Sequence, residues 1–303
     1  MNRKSESLLP KYLFQFSTLL TACVALFFIG FIFYIAYPTF QSQGVVNFIT
    51  GTTWDYSEGV YGIRTYIGGT IALTVTTLIL AVPVSVLTAV FLSEFAPARV
   101  VSVMRPLIEL LVGIPSVVYG IFGLFILGPI FGTSLAPAIS SVLGLIPFFQ
   151  DTSTSQTGVG LALASTVLAI MILPTIISIS EDSMRSVKRE YREASFALGA
   201  THWETISKVV LPSASKGILA AVVLGMMRAM GETMAIVMLF GNANKIPNTF
   251  FSSGYAMTSK ILNDIGFYVA QEESRSALFA IAAVLFAAEI LFVGVARVIG
   301  GRL

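Results

Sequence analysis

Six apolar runs, each close to the roughly 20 residues that a helix needs to cross a bilayer, constrain this chain more than any other feature. They lie at about 14–37, 66–92, 107–132, 158–180, 217–241 and 276–300. Only 11% of the 303 residues are charged and 55% are hydrophobic, against about 25% and 45–50% in soluble domains. This balance excludes a soluble enzyme, a disordered chain and a nucleic-acid binder. The net charge of +2 is too small to steer polyanions. A membrane barrel would show ten-residue alternating segments instead of long runs. The expected fold is therefore all-α, a polytopic membrane protein with six transmembrane helices. Residues 1–13 form its N-terminus, and 14–303 form one membrane domain.

Charge placement orients the spans. With the N-terminus inside, the inner segments carry thirteen Lys and Arg, including Arg3 and Lys4. The outer segments carry four: Arg64, Lys245, Lys260 and Arg275. That excess satisfies the positive-inside rule and places both termini in the cytoplasm. The first run is too long for a signal-peptide core and lacks a convincing cleavage site, so it is read as retained. Residues 135–149 contain Pro137 and Gly144 and read as an outer amphipathic or re-entrant piece. As a seventh span they would put the basic 181–216 segment outside. Pro83, Pro115 and Pro174 fall within spans and predict kinks or close helix contacts. The single Cys23 forms no internal disulfide, and the single His202 argues against a histidine-built metal site; no metal or cofactor is expected.

The 181–216 connector has six basic and five acidic residues yet does not read as a tether. Asp182 to Leu198 favours a helix, and Gly199 suits its C-terminal cap. Thr201 and Glu204 match a capping box that opens a second helix, which Pro212 ends. His202 is expected to face solvent, and Trp203 to anchor at an interface or touch a partner. The order Glu193-Ala194-Ser195-x3-Gly199-x9-Val209-x-Leu211-Pro212 resembles the EAA loop of ABC importer permeases, with Ser195 and Val209 as small departures. The resemblance implies that Glu193, Ala194 and Gly199 belong to an element that docks on an ATPase. No phosphate-cradling G-x4-G-K-[ST] sequence is present, so ATP would be hydrolysed by another polypeptide.

Glu109, Arg228, Glu232 and Glu289 fall inside the runs, where ionisable groups are costly and mark function. On an unbroken helix, Arg228 and Glu232 share a face. Ala221, Leu224, Gly225, Gly231 and Ala235 lie beside Arg228 on that wheel, and Val223, Met226, Met230 and Val237 lie opposite. Small residues there would leave room for a pathway. The planar guanidinium suits an oxyanion, and Glu232 would hold it in place and moderate anion binding. A buried pair that only fixes helix register is the alternative.

Trp54 with Tyr61-Gly62-Ile63, Ile67-Gly68-Gly69-Thr70, Ala81-Val82-Pro83, Leu92-Ser93-Glu94-Phe95, Ile114-Pro115-Ser116-Val117-Val118-Tyr119-Gly120 and Arg228-Ala229-Met230-Gly231-Glu232-Thr233 together resemble the PstC-type permease subunits of phosphate ABC importers. The likeness spans about residues 50–300. It implies a type I ABC importer permease fold that is not itself an enzyme. Its partners would be a PstA-type sister permease, a PstB-type ATPase dimer, an external phosphate-binding protein, phosphate and membrane lipid. Arg228 and Glu232 would serve phosphate passage, with Ser116 a weaker pathway residue. Physics alone does not separate phosphate from molybdate, tungstate or sulfate; the resemblance favours phosphate. A non-transporting scaffold would need neither the EAA spacing nor intramembrane charges.

Overall fold

The computed structural model describes residues 8–150 and 157–302; Arg3 and Lys4 lie outside them. Helix α1 covers Leu8–Gln43 and α2 covers Val45–Thr50. A hairpin of β1 (Trp54–Asp55) and β2 (Val60–Tyr61) follows, pairing Trp54 with Tyr61. Then come α3 (Arg64–Phe95), α4 (Ala98–Gly113), α5 (Ser116–Leu143) and α6 (Leu161–Arg185). The chain continues with α7 (Arg189–Ala197), α8 (His202–Gly231), α9 (Met234–Leu239), α10 (Met257–Tyr268) and α11 (Glu272–Arg302). Six helices, α1, α3, α5, α6, α8 and α11, are long and apolar enough to cross a membrane. The all-α, six-helix expectation therefore holds.

Several boundaries move, each for a physical reason. The third span runs over Ser116–Leu143 and not 107–132. Ile114 and Pro115 adopt extended backbone, because a residue before proline is pushed out of the helical region. Pro115 is thus a full break and not a kink. Glu109 falls on α4, exposed and outside the six apolar helices. Residues 135–143 complete the third span instead of forming a separate outer piece. Pro212 does not end the connector's second helix. A π-turn over Ile206–Val210 precedes it, with the Leu211 N–H donating to the Ile206 carbonyl. The wider turn lets the helix carry a residue that lacks an N–H donor. The helix therefore runs on as α8 to Gly231.

The described residues fall into two compact units: those up to Ile63 with Asp264–Leu285, and Arg64–Asn263 with those from Phe286 onward. In the first, Gln43 donates from Nε2 to the Gly59 carbonyl at 2.6 Å and accepts from the Tyr61 N–H at 3.0 Å, which ties α1 to the hairpin. Tyr56 stacks on Tyr268 with ring centroids 3.6 Å apart and donates its hydroxyl to Asp264. Most of α1 is exposed apolar surface, including Phe14, Leu26 and Tyr34, as expected of a helix solvated by lipid.

The second unit is organised around α6, two-thirds of whose apolar window is buried. Leu163, Leu168, Ile172 and Ile176 are fully covered, with α3 and α8 packed along its sides. Small residues permit the approach, as in other membrane helices. The Cβ that Gly225 of α8 lacks would lie 2.7 Å from Ile176. On α3, a Cβ at Gly69 would lie 2.1 Å from the Tyr255 carbonyl oxygen. Beside it, the Thr70 hydroxyl accepts from the Met257 N–H at 2.9 Å.

Gly69→Ala must therefore push α3 from the Tyr255 backbone. We expect a loss of about 1–3 kcal/mol, as for other overpacked sites, read as a lower unfolding midpoint of the solubilised chain. Gly30→Ala, where nothing lies within 4 Å, should leave the midpoint unchanged or slightly raised.

Candidate substrate pathway and coupling site

Helix α8 ends at Gly231, and Glu232 is extended, with φ −66° and ψ 132°. Arg228 and Glu232 therefore do not share a helix face. Among the described residues no ion pair joins them. The chain unwinds over Glu232 and Thr233, and the released polar groups find partners. The Gly231 carbonyl accepts from the Thr233 hydroxyl at 3.2 Å. The Glu232 carbonyl accepts from the Thr258 hydroxyl at 2.9 Å. Oε1 of Glu232 accepts from the Ala235 N–H at 3.4 Å. Irregular backbone at membrane depth is tolerated only when it is satisfied in this way.

Arg228 is half-buried one turn before the break, and no hydrogen bond or ion pair within the described residues occupies its guanidinium. The small face expected beside it is only partly open, since Leu224 and Gly231 are exposed while Ala235 is buried. Ala221 and Gly225 are buried, and Gly225 faces Ile176 of α6. The wheel identified the small residues, and the smallness of Gly225 serves packing on α6.

Other groups converge on the break. Glu289 of α11 places Oε1 3.9 Å from where a Gly231 Cβ would stand. The sequence shows no partner for Glu289, because 58 residues separate it from Gly231. Thr258 was likewise missed, since no local signal links α10 to Glu232. Ser116 is half-buried at the first turn of α5. One turn on, Tyr119 donates to the Leu111 carbonyl at 3.0 Å and lies within electrostatic reach of Arg228. A Cβ at Gly120 would meet Met238 Sδ at 2.8 Å and Ala235 Cα at 3.3 Å. The two motifs, around Ser116 and around Arg228, therefore pack on one another through α5 and α9.

Glu193, Ala194 and Gly199 lie elsewhere, on a helical hairpin. Its first helix is α7; the expected single helix from Asp182 is interrupted at Ser186–Lys188. Gly199 adopts φ +82°, the left-handed cap that its residue type permits. The capping box is present. The Thr201 N–H donates to Glu204 Oε2 at 3.0 Å, and the Glu204 N–H donates to Thr201 Oγ1 at 3.2 Å. Ser195, at the departure from the EAA pattern, shares a 2.9 Å hydrogen bond with the Thr205 hydroxyl and closes the hairpin. Glu193 and Ala194 are exposed, and among the described residues Glu193 pairs only with Arg189, at 2.7 Å. Tyr191, Phe196, Leu198 and Trp203 are also exposed, Leu198 at 90%. His202 is exposed but packs edge-on against Phe95 at 5.1 Å.

Arg192 holds this hairpin to the spans, and a second charge cluster joins those spans to one another. Arg192 of α7 pairs with the nearly buried Glu94 of α3 and donates to the Met184 carbonyl at 2.8 Å. Glu181, 3% exposed at its side chain, accepts from Arg105 and Arg185, both at 2.9 Å. Arg185 also donates to the Leu92 carbonyl at 3.1 Å. The Arg105 guanidinium is held above its ordinary range, first by its hydrogen bond to Glu181, with desolvation opposing.

Comparison with known proteins agrees with the fold. Residues 81–303 match the family described as binding-protein-dependent transport system inner membrane component. The chain is 37% identical over 268 residues, 87% of its length and 81% of the relative's, to a "Probable ABC transporter permease protein YqgH" of Bacillus subtilis. It is 35% identical over 295 residues, 95% of its length and 90% of the relative's, to a "Phosphate transport system permease protein PstC" of Xylella fastidiosa. Among solved structures, a chain of a bacterial alginate ABC transporter in complex with a pentasaccharide-bound periplasmic protein aligns with a TM-score of 0.63. It is 16% identical, covering 99% of this chain and 98% of that one. A chain of the MetNI methionine ABC transporter aligns with a TM-score of 0.54 at 17% identity, covering 82% and 99%. At such identities the likeness concerns the fold, which is that of type I ABC importer permeases. The chain is thus a multi-pass inner-membrane protein that belongs to the binding-protein-dependent transport system inner membrane components, as a PstC-type permease subunit.

Proposed function

We propose that this chain forms half of the membrane pathway of an ATP-driven importer of inorganic phosphate. A PstA-type sister permease supplies the other half. A PstB-type ATPase dimer docks on the α7 hairpin through Glu193, Ala194, Gly199 and the exposed Tyr191, Phe196, Leu198 and Trp203. An external binding protein delivers phosphate, and both termini lie in the cytoplasm. The chain holds no ATPase site of its own.

The observation that carries this reading is the uncommitted guanidinium of Arg228 beside a helix break. Arginine keeps its proton in any protein environment. A half-buried charge without an internal partner calls for an anion from elsewhere, and a planar fork suits phosphate. The relatives' names favour phosphate over molybdate, tungstate or sulfate. Glu232 and Ser116 border the same region. Glu232 supports the break through Ala235 and adds negative charge near the anion, which shortens its stay.

Arg228→Gln should lower phosphate uptake by tenfold or more, the loss of one charge-assisted contact of about 1.5–3 kcal/mol. Arg228→Lys should be intermediate, since it keeps charge without the fork. Uptake is measured in cells with matched membrane expression, with molybdate and sulfate as competitors. Normal uptake by Arg228→Gln removes this residue from the mechanism, and competition by sulfate as strong as by phosphate reassigns the cargo.

Gly199→Asp adds a side chain at φ +82° and a charge on the docking hairpin. A non-glycine residue there costs about 1–2 kcal/mol, so ATPase retained on the purified complex should fall about tenfold. Gly199→Asn, which tolerates this conformation better, should retain more. Full retention and uptake in both variants would place docking elsewhere.

A further inference from the structure

A cavity of about 570 Å³ opens between α8 and α11, within the range of ligand sites in general. It lies on the side of α8 turned away from Gly225 and α6. Leu219, Val223, Leu224 and Met227 of α8 and Val293 of α11 form apolar walls with two alanines, and Lys216 and Arg297 are the charged residues of the lining. Along α8 the cation precedes the apolar residues, and along α11 it follows them. Consecutive spans cross a membrane in opposite directions, so both cations stand at the same end of the groove.

The groove has the dimensions of one leaflet. Lys216 and Met227 are eleven residues apart in the sequence, about 16 Å along a helix. Half of the hydrocarbon core is about 15 Å. No carboxylate lines the cavity, and none of the described ion pairs involves Lys216 or Arg297. An apolar helix laid here would leave both cations unmatched. A zwitterionic lipid would bring its own cation to them. We infer that the groove is a site for one anionic phospholipid, its phosphate between Lys216 and Arg297 and an acyl chain along Leu219, Val223, Met227 and Val293. Paired basic residues at the mouth of an interhelical groove suit such headgroups generally.

The test uses the assembled transporter exchanged from mixed phosphatidylglycerol and phosphatidylcholine into detergent, with retained lipid counted by native mass spectrometry. Two cations at about fivefold each predict a preference for phosphatidylglycerol of about 25-fold. Lys216→Gln with Arg297→Gln should abolish the preference. Val223→Trp should fill the groove and abolish retention with both cations in place. Equal retention of the two lipids by the unaltered complex would overturn the assignment. So would an undiminished preference in the double variant, or a crosslink from position 223 to the sister permease in a complex that holds no lipid.

Discussion

A helix enclosed by protein at membrane depth must find partners inside the protein for its first N–H groups, because no water is there to take them. Helix α6 meets this demand with backbone. The Gly160 N–H donates to the Leu239 carbonyl at 3.0 Å, Leu161 to Ser252 at 2.9 Å and Ala162 to Phe250 at 2.7 Å. These bonds hold the non-helical stretch after α9 against the start of the core helix. That stretch leads into α10, whose Thr258 reaches back to the Glu232 carbonyl. The break beside Arg228 is thus tied, through three further segments, to the most buried helix of the chain. It is an over-determined feature of the fold and not a frayed end.

The same α8 links the two sites proposed to carry function. It runs thirty residues from His202 to Gly231, about 45 Å at 1.5 Å per residue, with the α7 hairpin at its start and Arg228 near its finish. A continuous helix transmits displacement of the hairpin along its axis, provided that the hairpin does not slide freely over its neighbours. Arg192 supplies that grip, through Glu94 on α3 and the Met184 carbonyl on α6, while the Glu181-centred pairs tie α6 to α4. Glu181 and Glu94 are almost wholly shielded at their side chains, unlike Glu193 in the exposed Arg189–Glu193 pair, so removing their arginines would strand a carboxylate away from water. The hairpin is held through Arg192, while its aromatic and leucine side chains remain exposed.

Hydropathy and local chemistry made the six spans, the capping box and the left-handed Gly199 legible, because each depends on a short window of sequence. The breaks were less legible. Ile114-Pro115 interrupts an apolar run without lowering its hydropathy, so a window centred on 107–132 merged α4 with α5. Pro212 looked terminal because its missing N–H is visible in sequence, whereas the π-turn that accommodates it is not. The unwinding at Glu232 depends on Thr258, and the approach of Glu289 to Gly231 depends on α11. A helical wheel of α8 located its small residues correctly yet could not tell whether a pathway or the face of α6 filled the space beside them.

That last distinction bears on how an anion would cross. If Arg228 were locked to Glu232 in a bidentate pair, an incoming phosphate would have to displace a carboxylate before binding. If it stood alone in a low-dielectric wall, its attraction at 4 Å would approach the several kcal/mol expected near ε of about 20, and release would be slow. The arrangement around α8 lies between these limits. Glu232 is engaged with the Ala235 N–H, and Glu289 approaches the break without an ion pair. Neither occupies the guanidinium. A transport site needs enough attraction to admit its ion and little enough to let it leave. The break separates Arg228 from its neighbouring carboxylate far enough for the arginine to remain available.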